Sequence, residues 1–208
     1  TNAINNTAGA VFESGSVVAV GAGNLVSNAG LLSPGGYNNV FVTTLTGNLA
    51  QAATGTYGAD FDLQASASDR LAVSGSATLA GTVQVNLINP LAAPGYARPG
   101  TAATTLLTAT EGLTTSGLNL AAFQTAVARY GLVLPDANTL SLQWAVNYAP
   151  AGLTPSETTL GKAINALQAD QTSPAFRPIA TNLFYLPDVG TLGHAYDSLM
   201  GSGVAAAQ

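Results

Sequence analysis

Residues 43–87 constrain the fold more than any other stretch of this chain. They read TTLTGNLAQAATGTYGADFDLQASASDRLAVSGSATLAGTVQVNL. Apolar residues alternate with small polar ones over short runs, and Gly, Asn, Asp or Ser closes each run. That pattern is strand and turn in succession, with no room for a helix between. The unit also recurs. LTGNLAQA at 45–52 and VSGSATLA at 73–80 carry a glycine at the same place, Gly47 and Gly75. Their offset of about 28 residues lies within the roughly 20–50 residues expected of repeat architectures. One coil of a β-solenoid fits it.

Within the stretch, the two-residue period sorts side chains by face. Tyr57, Ala59, Phe61 and Leu63 share one face, and Gly58, Asp60 and Asp62 the other. Leu79, Val83, Val85 and Leu87 point one way, with Thr82, Gln84 and Asn86 opposite. Asp69, ahead of Arg70-Leu71-Ala72-Val73, is a short acceptor suited to holding turn amides.

Several of these segments, in this order, resemble a known family. Asn28-Ala29-Gly30, Ser33-Pro34-Gly35, the LTGNL run at 45–49 and SDRLAVSGSATLAGTV at 68–83 are similar to the last coils of an autotransporter passenger domain. This is the type V secretion family of Gram-negative bacteria. The resemblance implies an all-β fold, a right-handed parallel β-helix (solenoid) with a C-terminal β cap and then a short helical linker. It also implies that the C-terminal end, the autochaperone region, promotes passenger folding outside the cell. The partners implied are the chain's own upstream passenger coils and a downstream β-barrel that anchors the protein in the outer membrane, at the cell surface.

Composition agrees with stacked strands. Hydrophobic residues make up 47% and mean hydropathy is +0.30, yet only 7% of residues are charged, against about 25% in an ordinary soluble domain. Polarity therefore rests on Asn, Thr, Ser, Gln and backbone, which can ladder between strands where like charges would repel. The net charge is −5, and the five bases, Arg70, Arg98, Arg129, Lys162 and Arg177, are scattered. No basic patch faces phosphates, so nucleic acid is not expected as a partner. Cysteine is absent, which removes disulfides and thiolate metal sites. A passenger that crosses the outer membrane unfolded has the same need. No window approaches the roughly 18 apolar residues of a membrane-spanning helix, and no signal peptide opens at Thr1. The chain is expected to be an internal piece of a longer protein, ending before the barrel strands.

Three segments are expected. Residues 1–39, rich in Gly, Asn and Ser, read as β-helix coils, with a firm turn at Pro34-Gly35-Gly36. Residues 40–148 read as the terminal coils and an autochaperone-like cap, interrupted by Pro90, Pro94 and Pro99. Residues 121–129 read as a short helix or a loop insertion. TTLLTAT at 104–110 is a strand, and 132–134 pairs with 139–148 as a hairpin around 135–138. A cap is needed because the last coil otherwise leaves open strand edges. Residues 149–208 read as the helical linker. Thr154-Pro155-Ser156-Glu157 is a capping box with Pro at the first helical position, and that helix is expected to end near Asp170. Further helices are expected from Ser173-Pro174 and over 188–199.

No candidate for chemistry outweighs its structural reading. His194, Asp197 and Ser198 tempt as a triad, and Asp-Ser-Leu echoes a lipase motif, but Tyr196 stands where that motif needs Gly. A mid-helix serine also lacks the exposed elbow of a nucleophile. Asp60, Asp62 and Asp69 suggest calcium or glycoside chemistry, but calcium takes six to eight oxygens, and outward-facing strand and corner acids are the simpler reading. Trp144, Tyr148, Tyr57 and Phe61 suggest a sugar-stacking platform, but core and cap packing explains them. The expectation is a non-enzyme with no catalytic residue, metal or cofactor. The residues expected to matter are core and cap positions: Phe61, Leu71, Val73, Leu79, Val83, Val85, Leu140, Leu142 and Trp144. The leading functional expectation is a passenger segment that promotes folding and secretion. The alternative is an adhesin or self-association surface meeting host or neighbouring cells, and a polysaccharide-acting enzyme ranks third.

Overall fold

The computed structural model describes residues 2–88, 98–171 and 173–205. Pro90 and Pro94, read above as breaks in the pattern, lie outside the described residues. In chain order the strands are β1 (Ile4–Asn6), β2 (Val11–Ser14), β3 (Val17–Ala19), β4 (Leu25–Asn28), β5 (Leu31–Pro34) and β6 (Val42–Thr46). Then come β7 (Asn48–Gln51), β8 (Thr56–Asp62), β9 (Ala67–Ser68), β10 (Arg70–Val73), β11 (Ala77–Leu79) and β12 (Thr82–Ile88). β13 (Gly100–Ala109), β14 (Leu113–Thr115), β15 (Asn119–Ala121), β16 (Ala128–Asp136) and β17 (Thr139–Val146) follow. The helices are α1 (Pro155–Asp170), α2 (Arg177–Phe184) and α3 (Val189–Ala205), with a 3₁₀ turn at Pro174–Phe176 ahead of α2.

The strands form three sheets, in the orders β1-β4-β7-β11-β14, β16-β17-β13-β10-β6-β3 and β15-β12-β8-β5-β2. In the first and third sheets these neighbours run parallel. β9 adds an antiparallel pair to β8, Phe61 opposite Ser68. A two-residue turn, Ala137-Asn138, joins β16 to β17, and only antiparallel neighbours can be joined so briefly.

This corrects the expectation of an all-β chain folded as a right-handed parallel β-helix with a C-terminal β cap, followed by a short helical linker. Among the described residues there are 17 strands in three sheets, parallel and mixed, and three α-helices that bring the chain to 21% helix, a mixed α/β-like arrangement. The physical reason is that alternation reports which residues suit a half-buried strand; it says nothing of the direction in which strands pair. Of the two readings of residues 121–129, the helix does not form: residues 122–127 are a loop between β15, which ends at Ala121, and β16, which begins at Ala128.

Two compact units divide the chain. One comprises residues 1–89, 103–123 and 131–143, the other 90–102, 124–130 and 144–208. In the first, Leu32, Leu45, Leu49, Tyr57, Leu79 and Leu107 are buried. The Tyr57 hydroxyl donates to the Leu106 carbonyl at 2.8 Å, which satisfies the one polar atom that so large a buried side chain brings with it. Gly47 and Gly75 recur for a steric reason. The Gly75 N–H donates to the Gly47 carbonyl at 3.0 Å, and a Cβ on Gly75 would strike Asn48 Oδ1. Gly47 also has φ +135°, and a Cβ there would lie 2.5 Å from Val20 Cγ2.

In the second unit, α1 begins behind Thr154 with both halves of its capping box formed. Thr154 N–H donates to Glu157 Oε2 at 2.6 Å and Glu157 N–H to Thr154 Oγ1 at 3.4 Å. The buried face of α1, with Gly161 and Ile164, meets Tyr148, and a Cβ on Gly161 would collide with the Tyr148 carbonyl. That carbonyl also accepts from the Tyr196 hydroxyl of α3 at 2.5 Å. Asp188 caps α3, its carboxylate accepting from Thr191 N–H at 2.8 Å and from Thr191 Oγ1 at 3.0 Å.

Candidate functional site

The three aspartates flagged in the sequence do not form one site. Asp60 and Asp69 are buried together, whereas Asp62 holds a turn by accepting from the N–H groups of Gln64 and Ala65 at 2.9 and 3.0 Å. Asp69 Oδ1 accepts from Phe41 N–H at 2.7 Å, and its Oδ2 from Asp60 N–H at 2.9 Å. Asp60 Oδ2 in turn accepts from Asn39 N–H at 2.6 Å, and Oδ1 from Asn86 Nδ2 at 2.6 Å. The pair thus fastens residues 39–41 against β8 and β12. Burial pushes the Asp69 carboxyl up to about 7; the amides of Asp60 and Phe41 pull it down, and the Asp60 charge beside it adds to the rise. Burial, with the Asp69 charge adding to it, also holds the Tyr57 hydroxyl well above the usual tyrosine range.

All four carboxylate oxygens of Asp60 and Asp69 are therefore engaged by protein donors. Among the described residues, no group of three or more His, Cys, Asp or Glu could hold a metal ion. The His194–Asp197–Ser198 trio is not assembled either. Ser198 Oγ donates to the His194 main-chain carbonyl at 2.9 Å, the ordinary bond of a helix serine four residues on. Of the aromatic quartet, Tyr57 and Phe61 are buried in the first unit, and Trp144 and Tyr148 in the second. No exposed stacking platform is made from them.

All nine expected core and cap residues are buried. Phe61, Leu71, Val73, Leu79, Val83, Val85, Leu140 and Leu142 lie in the first unit, and Trp144 lies in the second.

Two features of the first unit escaped the residue pattern. The first is a column of buried amides. Asn6 Nδ2 donates to Asn28 Oδ1 at 2.7 Å, and Asn28 Nδ2 donates to Gln51 Oε1 at 3.0 Å. Gln51 Nε2 ends the column on the Ala80 and Thr82 carbonyls at 2.7 and 3.2 Å. Each member donates toward the next, which leaves Asn6 Oδ1 without a donor among the described residues. The signal available in the sequence was polar residues at the ends of strands with inward neighbours, Asn6, Asn28 and Gln51. The second feature is Tyr37, 70% exposed beside a shallow groove on the outer face of the third sheet. An aromatic set in the Pro-Gly-Gly-Tyr-Asn-Asn turn was the clue to it.

At the same end of all three sheets lie the first three strands. β1, β2 and β3 are edge strands of the first, third and second sheets respectively. A narrow, nearly closed gap lies among Phe12, Val18, Val26, Leu32, Leu45 and Leu71 beside them. Comparison with known proteins found no matching family model, no similar curated protein and no similar solved structure.

Proposed function

We propose that this chain is a non-catalytic C-terminal passenger segment of an autotransporter, promoting the folding and outer-membrane secretion of the passenger residues that precede it. The observation that carries the reading is the edge position of β1, β2 and β3 in all three sheets at once. Parallel strands arriving from upstream would find unpaired backbone groups on three edges, and an unpaired edge is a template for another strand. Asn6 Oδ1 offers such a strand a side-chain acceptor. Folding on that template releases free energy outside the cell, which opposes backsliding through the outer membrane. The partners are then the preceding passenger residues and a following β-barrel, and the location is the cell surface. Low charge and the absence of cysteine suit passage as an extended chain.

The test is surface display in the full-length protein. Leu79 is wholly buried, and Leu79→Asp places an unpaired charge there. Passenger at the surface should fall while the barrel still inserts, and display equal to wild type would contradict the role.

A further inference from the structure

The outer face of the third sheet carries a second feature that the folding role does not use. β5, β8 and β12 lie side by side, with Gly58 opposite Gln84 and Asp60 opposite Asn86. The outward position at Gly58 is empty of side chain, so a trough runs between Ser33 and Gln84, with Leu31 at one side and Asp60 and Asn86 at the other. Tyr37 stands over it as an exposed wall.

Glycine at this place is not demanded by the backbone. Gly58 does not belong to the positive-φ glycines, and glycine inside a strand is destabilising by roughly 0.5–1 kcal/mol relative to Ala. A Cβ there would press on the flexible tip of Leu31, Cδ1, at 3.1 Å and make ordinary contact with Ser33 Cβ and Oγ at 3.7 Å. Interior strand glycines of this kind mark places where another molecule or another backbone approaches closely, and no protein backbone lies over this one: Leu31 and Ser33 side chains are the nearest atoms.

The groups around the trough specify a chemical class. Among the described residues, Ser33 Oγ, the Gln84 amide and the Tyr37 hydroxyl make no hydrogen bond, and Asn86 has its Oδ1 uncommitted while Nδ2 is held by Asp60 and Asn38. Hydroxyl and amide groups that both donate and accept, arranged about an exposed aromatic ring, match a ligand with an apolar C–H face and a rim of hydroxyls. No cation lines the trough, and the Asp60 carboxylate disfavours an anion. The trough is shallow, so a ligand would lie across it against Tyr37 rather than fill an enclosed pocket. From this geometry we infer that the Tyr37–Gly58 trough is a binding site for a neutral saccharide, with Tyr37 stacking on one ring and Ser33, Gln84 and Asn86 reading its hydroxyls.

The experiment is an amide NMR titration of the full chain with maltotriose, cellotriose and chitotriose, each to about 10 mM, which reaches millimolar Kd. At least one should shift the amides of Tyr37, Gly58, Gln84 and Asn86 saturably. Tyr37→Ala and Gly58→Val should weaken that binding about tenfold. Tyr37 is exposed, so Tyr37→Ala tests the site without disturbing the core. The inference is overturned if none of the three sugars gives a saturable shift at these residues, if the shifts map elsewhere, or if both variants bind as wild type does.

Discussion

Asn28 donates from Nδ2 to Gln51 Oε1 at 3.0 Å while its own Oδ1 accepts from Asn6, so one buried side chain joins three strands, β1, β4 and β7. Its second Nδ2 hydrogen goes to the Thr56 carbonyl at 3.0 Å. Asn28→Ala would strand a donor on Asn6 and acceptors on Gln51 and Thr56. Unsatisfied buried groups cost roughly 1–3 kcal/mol each, so with three stranded a loss of about 3 kcal/mol or more is expected, read as a lower urea midpoint. Asn28→Asp should be at least as damaging, since it sets a carboxylate against Gln51 Oε1 and the Thr56 carbonyl.

The Asp60–Asp69 pair gives the first unit an inverted pH dependence. The folded carboxyl of Asp69 titrates at about 7, and an unfolded aspartate at about 3.9. Between these values the folded state keeps a proton that the unfolded state has released, so stability is highest at the acid end and is lost as pH rises through 7. The urea midpoint should fall between pH 5 and pH 8. Asp69→Asn should flatten that slope, and a midpoint that rises over the interval would contradict the assignment.

The recurring glycines are sites of backbone approach. Gly47→Ala combines a positive φ with a Cβ 2.5 Å from Val20 Cγ2, and strain plus overpacking should cost about 2–5 kcal/mol. Gly15, around whose Cβ position nothing lies within 4 Å and whose φ is ordinary, should accept alanine with little change. Thermal unfolding of the two variants separates the cases.

In the second unit, Tyr196→Phe removes one buried hydroxyl from the Tyr148 carbonyl and should cost about 1–2 kcal/mol. Gly161→Ala should cost more, because its Cβ meets that same carbonyl and the backbone of α1 must shift. Calorimetry on both variants checks the order.

How far the sequence could be read depended on how local each device is. The α1 cap was legible because Thr154, Pro155 and Glu157 act within one turn. The parity of Tyr57 and Phe61 placed both in the core and Asp60 on the opposite face, but it left Asp60 exposed, and Asp60 is buried. Asp60 is covered by the 39–41 segment and by Asp69, neighbours that alternation within β8 cannot reveal. The all-β expectation failed for a related reason. Strand runs at 43–87 say nothing of the antiparallel pairing of β9 with β8, and the weaker periodicity after residue 173, broken by Pro178 and Pro187, understated α2 and α3. The saccharide trough was invisible because it is made by an absence, the missing side chain at Gly58, set among three strands far apart in sequence.

If the first unit acts as a folding template, surface display of the Leu79→Asp variant in the full-length protein tests it most directly. Protease accessibility of the passenger on whole cells should drop well below wild type, with barrel insertion in the outer membrane unchanged. Passenger displayed at the wild-type level, over a first unit shown to be unfolded, would contradict the account.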